Sequence, residues 1–289
     1  MPALPPGIRQ AASSCPTSCR AAFIRMPVRT RLTEQDEPMN WRLPKPAALL
    51  ALCAALWASS SPASVVITGT RVIFPGDSRE VTVRLTNDGT APALVQAWID
   101  TGNEKEAPEQ ITVPFVLTPS MFRLDPGKGQ SLRLIKTGES LPADRESLFW
   151  LNVLEVPPKA TGDEASNKIQ LAFRSRIKVM YRPSGLPGHA ATAAEQLKWQ
   201  IAPQRDGRGY TLKASNPTPY VVNLGVVNVD VGGHKQELKP NFVRPGGETE
   251  FPLQGTTVAP ASAEVEYAPI DDWGTIKSSK RATASAARN

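Results

Sequence analysis

From Ser64 onward, apolar residues recur at every second position in short runs. Val81-Thr82-Val83-Arg84-Leu85 and Leu132-Arg133-Leu134 are examples, and Pro, Gly, Asn and Asp separate such runs. A period of two puts successive side chains on opposite faces of an extended backbone. Turn signals such as Pro75-Gly76-Asp77-Ser78, Asn87-Asp88-Gly89 and Asp125-Pro126-Gly127 close the runs, and each supplies a residue suited to a tight reversal. No amphipathic helical window interrupts this pattern. The chain must therefore bury its apolar residues between antiparallel sheets, and the fold class is all-β.

Strands are predicted near 64–74, 78–86, 93–101, 111–118, 130–136, 146–156 and 169–181, which is enough for one immunoglobulin-like β-sandwich. The stretch Arg182-Pro183-Ser184-Gly185-Leu186-Pro187-Gly188 reads as a stiff junction. Beyond it, strands near 197–202, 209–214, 220–230, 235–239, 249–254 and 264–269 predict a second, smaller sandwich. The expected organisation is an N-terminal domain over 64–184, a C-terminal domain over 185–278 and a disordered tail over 279–289, whose residues are small and polar.

Residues 1–63 do not share the alternation. From Met39, the basic residues Arg42 and Lys45 precede an unbroken apolar run, Ala47 to Ala58, and then Ser59-Ser60-Ser61-Pro62-Ala63. That order is that of a secretory signal peptide, which makes export through the general secretory route the expectation and leaves the residues before Met39 as an upstream extension. The apolar run is shorter than the roughly 20 residues that span a bilayer, so the product is not expected to be membrane-embedded. Cys53 lies inside the run, and Leu52 stands where a lipid-attachment site needs a small residue.

The leader changes what composition means. Cys15, Cys19 and Cys53 all precede residue 64, so the exported part has no cysteine for disulfides, thiolate ligands or nucleophiles. Of the chain's 33 Lys and Arg and 27 Asp and Glu, residues 1–63 hold 7 and 3, leaving 26 against 24 and a net charge of about +2. That removes most of the case for nucleic acid or an anionic surface as partner, and no nucleic-acid partner is expected. Only His189 and His234 remain as imidazoles, and no catalytic or metal-binding motif accompanies them. Neither an enzyme nor a cofactor is expected.

The predicted strand from Ile169 to Tyr181 runs to thirteen residues, beyond the usual length of about 5–6. Either Ile169, Leu171 and Phe173 project as an exposed apolar stripe, or they continue the core face of Ile177 and Val179. Periodicity alone allows both. An exposed stripe on a strand with free backbone groups would call for a pairing partner.

One segment is more specific. Leu141-Pro142-Ala143-Asp144-Arg145-Glu146-Ser147-Leu148-Phe149-Trp150-Leu151-Asn152, followed by Val153-Leu154-Glu155-Val156-Pro157-Pro158, resembles the signature of the periplasmic chaperones of the chaperone–usher pilus pathway. Thr70 to Phe74, Gln96 to Ile99, Thr118 to Gly127, Lys178 to Pro183 and Asp271-Asp272-Trp273-Gly274 extend the resemblance over nearly all of 64–276.

The resemblance implies two sandwich domains arranged in an L, with Arg71 and Lys178 in the cleft binding the C-terminal carboxylate of a pilus subunit. It implies that Ile169, Leu171 and Phe173 form a donor strand completing the subunit's unfinished sandwich, with Phe173 bulkier than the expected aliphatic residue. Glu146, Arg182 and Asp272 would form a structural ionic link between the domains. The function implied is that of a periplasmic chaperone, with no cofactor, that folds and caps pilus subunits and delivers them to an outer-membrane usher. Self-association of the unbound protein through the exposed strand stays open. The short, cysteine-free connection from Pro157 to Lys168 is similar to the short-loop branch of the family, which usually serves rod-like or composite pili. The competing reading is a secreted adhesin or polysaccharide-binding module of two sandwiches, since fold alone does not specify function.

Overall fold

The computed structural model describes residues 64–138, 140–159, 170–205, 207, 209–258 and 260–286. The leader expected over 1–63 lies outside them, as does Ile169.

The first domain packs two sheets face to face. One has four strands in the order β1 (Val65–Ile67), β3 (Glu80–Asn87), β7 (Gly129–Lys136), β5 (Phe115–Thr118). The other has five, in the order β2 (Arg71–Pro75), β9 (Phe173–Arg182), β8 (Ser147–Val156), β4 (Ala93–Asp100), β6 (Met121–Leu124). Alternating side chains from both sheets, including Phe74, Val83, Leu85, Val95, Leu132, Leu134, Leu151 and Val179, make one buried core. The strand expected over 64–74 is two strands in different sheets, because Thr68-Gly69-Thr70 turns the chain with Gly69 at φ 97°, a conformation that glycine adopts freely.

The second domain has its own core around Leu197, Trp199, Leu212, Val227, Phe251, Val265 and Tyr267. Its eight strands form one continuous sheet that curls over that core. The path is β13 (His234–Glu237), β12 (Val222–Val231), β16 (Ser262–Ile270), β17 (Lys280–Ala286), β10 (Lys198–Pro203), β11 (Tyr210–Ser215), β15 (Glu248–Pro252), and β14 (Phe242–Val243) pairs with β12. A single helical turn, α1 (Ala190–Ala193), follows the Pro/Gly junction.

Two further expectations need correction. The disordered tail expected over 279–289 is, over Lys280–Ala286, the strand β17, which pairs antiparallel with β16 from Tyr267↔Lys280 to Ser262↔Ser285 and parallel with β10, while residues 287–289 lie outside the described residues. Small polar residues are adequate there because the backbone ladder joins the halves of the curled sheet, and only Ala284 is fully buried. The thirteen-residue strand is also shorter, beginning at Phe173. Its neighbour β8 ends at Val156, and the next residues, Pro157 and Pro158, have no N–H to extend a ladder. Gln170 instead donates its side-chain amide to both proline carbonyls.

Truncation before Lys280 will therefore open the curled sheet between β16 and β10. A fall in the thermal midpoint of more than about 5 °C, equivalent to roughly 1 kcal/mol or more for a domain of this size, is the expected result in calorimetry of the full and shortened chains.

Candidate functional site

Strand β9 organises the site because its two edges are used unequally. Along one edge β8 pairs with it throughout, from Glu155↔Phe173 to Ser147↔Tyr181. Along the other, β2 pairs in parallel only from Arg71↔Lys178 to Pro75↔Arg182. Among the described residues, Phe173 to Ile177 thus have no strand on the β2 side. Leu171 and Phe173, just before and at the start of this open edge, are 58% and 61% exposed. Ile177 and Val179 turn into the core.

Arg71 and Lys178 stand side by side where the open edge stops. The Arg71 Nε and one terminal nitrogen are buried without a hydrogen-bond partner. Lys178 donates to Asn223 Oδ1 at 2.6 Å, and its ammonium lies 4.5 Å from the centre of the Phe242 ring. Burial, and then the neighbouring Arg71, lower the Lys178 pKa to about 8. Burial also lowers that of Arg71, against the attraction of Asp271 and Asp272. Two partly desolvated cations with donors to spare are chemically suited to a small anion.

The second domain completes the cleft. Leu148, Trp150 and Met180 of the first domain bury against Val221, with Ile73 and Phe242 packed on the cluster. The turn from Asp271 to Thr275 is held by the Asp271 carboxylate, which accepts from the amides of Trp273 and Thr275. Within it Gly274 has φ 87°, and a Cβ there would collide with the Thr70 hydroxyl. Glycine therefore lets the turn seat directly against the residue preceding Arg71.

Glu146, Arg182 and Asp272 meet as one chain of charges. Arg182 donates to Glu146 at 2.5 Å and to both Asp272 oxygens at 2.7 and 2.9 Å, while Glu146 also accepts from the Val221 amide at 2.6 Å. Burial pushes the Glu146 pKa up against the pull of Arg182 and that amide. The Glu146 carboxylate is 1% exposed and that of Asp272 40%, so the two ends of the link are not equivalent.

Sequence reasoning missed Asn223, Phe242 and Arg244, which line the cleft from the second domain. It also missed the buried Asp100, which takes hydrogen bonds from Arg176, Asn152 and the Gly102 amide. None sits in a motif whose spacing announces a role. Among the described residues, no group of three or more His, Cys, Asp or Glu gathers to hold a metal.

A family profile for the pili and flagellar-assembly chaperone PapD N-terminal domain matches residues 64–187, and one for the C-terminal domain of the pili assembly chaperone PapD matches 192–281. The chain belongs to the pilus-assembly chaperones. It is 46% identical over 244 residues to the chaperone protein FimB/FhaD of Bordetella pertussis, covering 82% of this chain and 96% of that one. The probable fimbrial chaperone YadV of Escherichia coli is 41% identical over 230 residues, 78% of this chain and 93% of its own. The crystal structure of YadV superposes with a TM-score of 0.64 at 39% identity, covering 76% of this chain and 100% of that one. A Salmonella enterica structure of the SafA pilin in complex with the SafB chaperone matches with a TM-score of 0.62 at 27% identity, covering 78% of this chain and 98% of the other.

Two outcomes follow for this chaperone. Arg182→Ala strands the Glu146 carboxylate in the interior and should cost about 3–5 kcal/mol, whereas Asp272→Asn, at the exposed end, should cost about 1 kcal/mol or less; urea unfolding separates them. Lys178 has its folded pKa depressed, so its contribution to stability is full above the ordinary lysine pKa of 10.5 and is lost as pH falls through about 8. The free protein should therefore gain stability as pH rises across that window, and Lys178→Met should abolish the rise.

Proposed function

We propose that this chaperone captures pilus subunits by strand addition along the open edge of β9, with the subunit's C-terminal carboxylate fixed by Arg71 and Lys178. The observation that carries the reading is where the edge ends. A strand laid along Phe173 to Ile177 runs into β2 at Arg71, opposite Lys178, so the guest chain must terminate there. Its terminal carboxylate then meets the two desolvated cations, whose charge-assisted hydrogen bonds contribute about 1.5–3 kcal/mol each. Because that terminus lies at the Lys178 end, the guest strand runs parallel to β9.

Leu171 and Phe173 supply the apolar side chains, and Ile169 precedes them in the same alternation. In donor-strand complementation, main-chain pairing supplies affinity while alternate side chains fill pockets in the partner. The exposed large side chains on β9 and the residues before it fit that division of labour. The Glu146–Arg182–Asp272 link fixes the domains so that the cleft keeps its shape. The work needs no ATP or cofactor and no catalysis: the chaperone folds and caps the subunit in the periplasm after export and passes it to an outer-membrane usher. While unbound, the open edge can be shielded by a second copy of the chaperone.

Co-expression of the tagged chaperone with a candidate pilus subunit tests this. Wild type should yield a stoichiometric complex, and Arg71→Ala or Lys178→Ala should lose it while keeping the fold. Leu171→Glu should weaken capture with little change in thermal midpoint. Undiminished capture by the Lys178 variant would overturn the cleft assignment, and unfolding by Leu171→Glu would mean that the stripe is core.

A further inference from the structure

The cleft holds a third cation that the capture of a terminal carboxylate does not use. A cavity of about 600 Å³ is lined by Trp150, Arg176, Lys178, Asn241, Phe242 and Arg244, among others. Arg244, on the segment between β14 and β15, lies 5.5 Å from the centre of the Trp150 ring and 5.7 Å from that of Phe242. Stacking on two aromatic faces holds the guanidinium plane in place.

The four charged groups around this cavity are unequally occupied. Arg176 is committed, bonding Asp100 at 2.5 Å and Glu104 at 2.9 Å. Lys178 is bonded to Asn223 and shares the Phe242 ring with Arg244. Among the described residues, Arg244 has no acidic partner and its guanidinium donates no hydrogen bond, although a guanidinium has five donors. Burial lowers its pKa with no acidic group to oppose the effect. Glu104, the one acid on the wall, is engaged by Arg176. Arg244 is exposed at the mouth of the cavity, positive and flanked by two rings, with none of its donors spent on the protein.

We infer that Arg244 is a specificity residue that takes the carboxylate of an acidic side chain, Asp or Glu, near the C-terminus of the captured subunit. The inference rests on the cleft reading above and deepens it. With the terminal carboxylate at Arg71 and Lys178, Arg244 faces the same aromatic ring as Lys178, and an acidic side chain a few positions earlier in the guest would meet it by extending across β9 toward Trp150. A planar fork suits a carboxylate, which it can meet with two parallel hydrogen bonds. Clients with an acidic residue there are selected over those with its amide.

The test uses the whole chain on an array of random peptides with free C-termini, duplicated with the termini amidated. Wild type should enrich peptides bearing Asp or Glu near the end by about tenfold over their Asn or Gln counterparts, since one charge-assisted pair is equivalent to about that factor. Arg244→Gln should lose this enrichment while keeping the preference for free over amidated termini, and Arg244→Lys should retain part of it. Loss of the free-terminus preference in Lys178→Ala reports on the cleft separately. Absence of acidic enrichment in wild type, or its survival in Arg244→Gln, would overturn the inference. Equal weakening of acidic and amide peptides would reduce Arg244 to packing and overturn it as well. If amidation makes no difference to wild type, it is the terminal-carboxylate reading that fails, whatever Arg244 does.

Discussion

The parallel contact between Arg71 and Lys178 is the constraint on which the rest of this chaperone depends. Two cations are placed in register on adjacent strands and partly withdrawn from water, an arrangement that no pair of free side chains would choose. Each raises the cost of charging the other, and burial raises it further. Only a framework that cannot relax will hold them so. The structure supplies one through the sandwich core beneath Val179 and Phe74 and through the second domain pressed against the cleft.

That second domain acts as a wall. It contributes Asn223 to orient the lysine, Phe242 to face it and the Asp271–Thr275 turn to seat against Thr70. The ionic chain through Arg182 crosses the same boundary. An ion pair contributes little net stability compared with apolar packing. The apolar cluster around Trp150 and Met180 joins the two domains, and the Arg182 link bridges them.

Much of this was legible because strand alternation is a strong signal and because both cleft cations fall in recognisable segments. The C-terminal strand was not. Lys280 to Ala286 has no large apolar residue to betray a sheet, and its order comes from pairing with β16 and β10, which are remote in sequence. The start of β9 was misplaced for a related reason, since its limit is set by the prolines that follow the neighbouring strand β8. Arg244 was invisible because its meaning lies in two aromatic rings, one from each domain, that meet only after folding.

The orphaned nitrogens of Arg71 bear on how securely the folded state is held. A folded state that buries unpaired donors is less secure against opening than one in which they are filled, and whatever fills them shifts the balance by mass action. Proteases act on the opened population. An anion seated on these donors would therefore make the folded chain harder to open and to cleave.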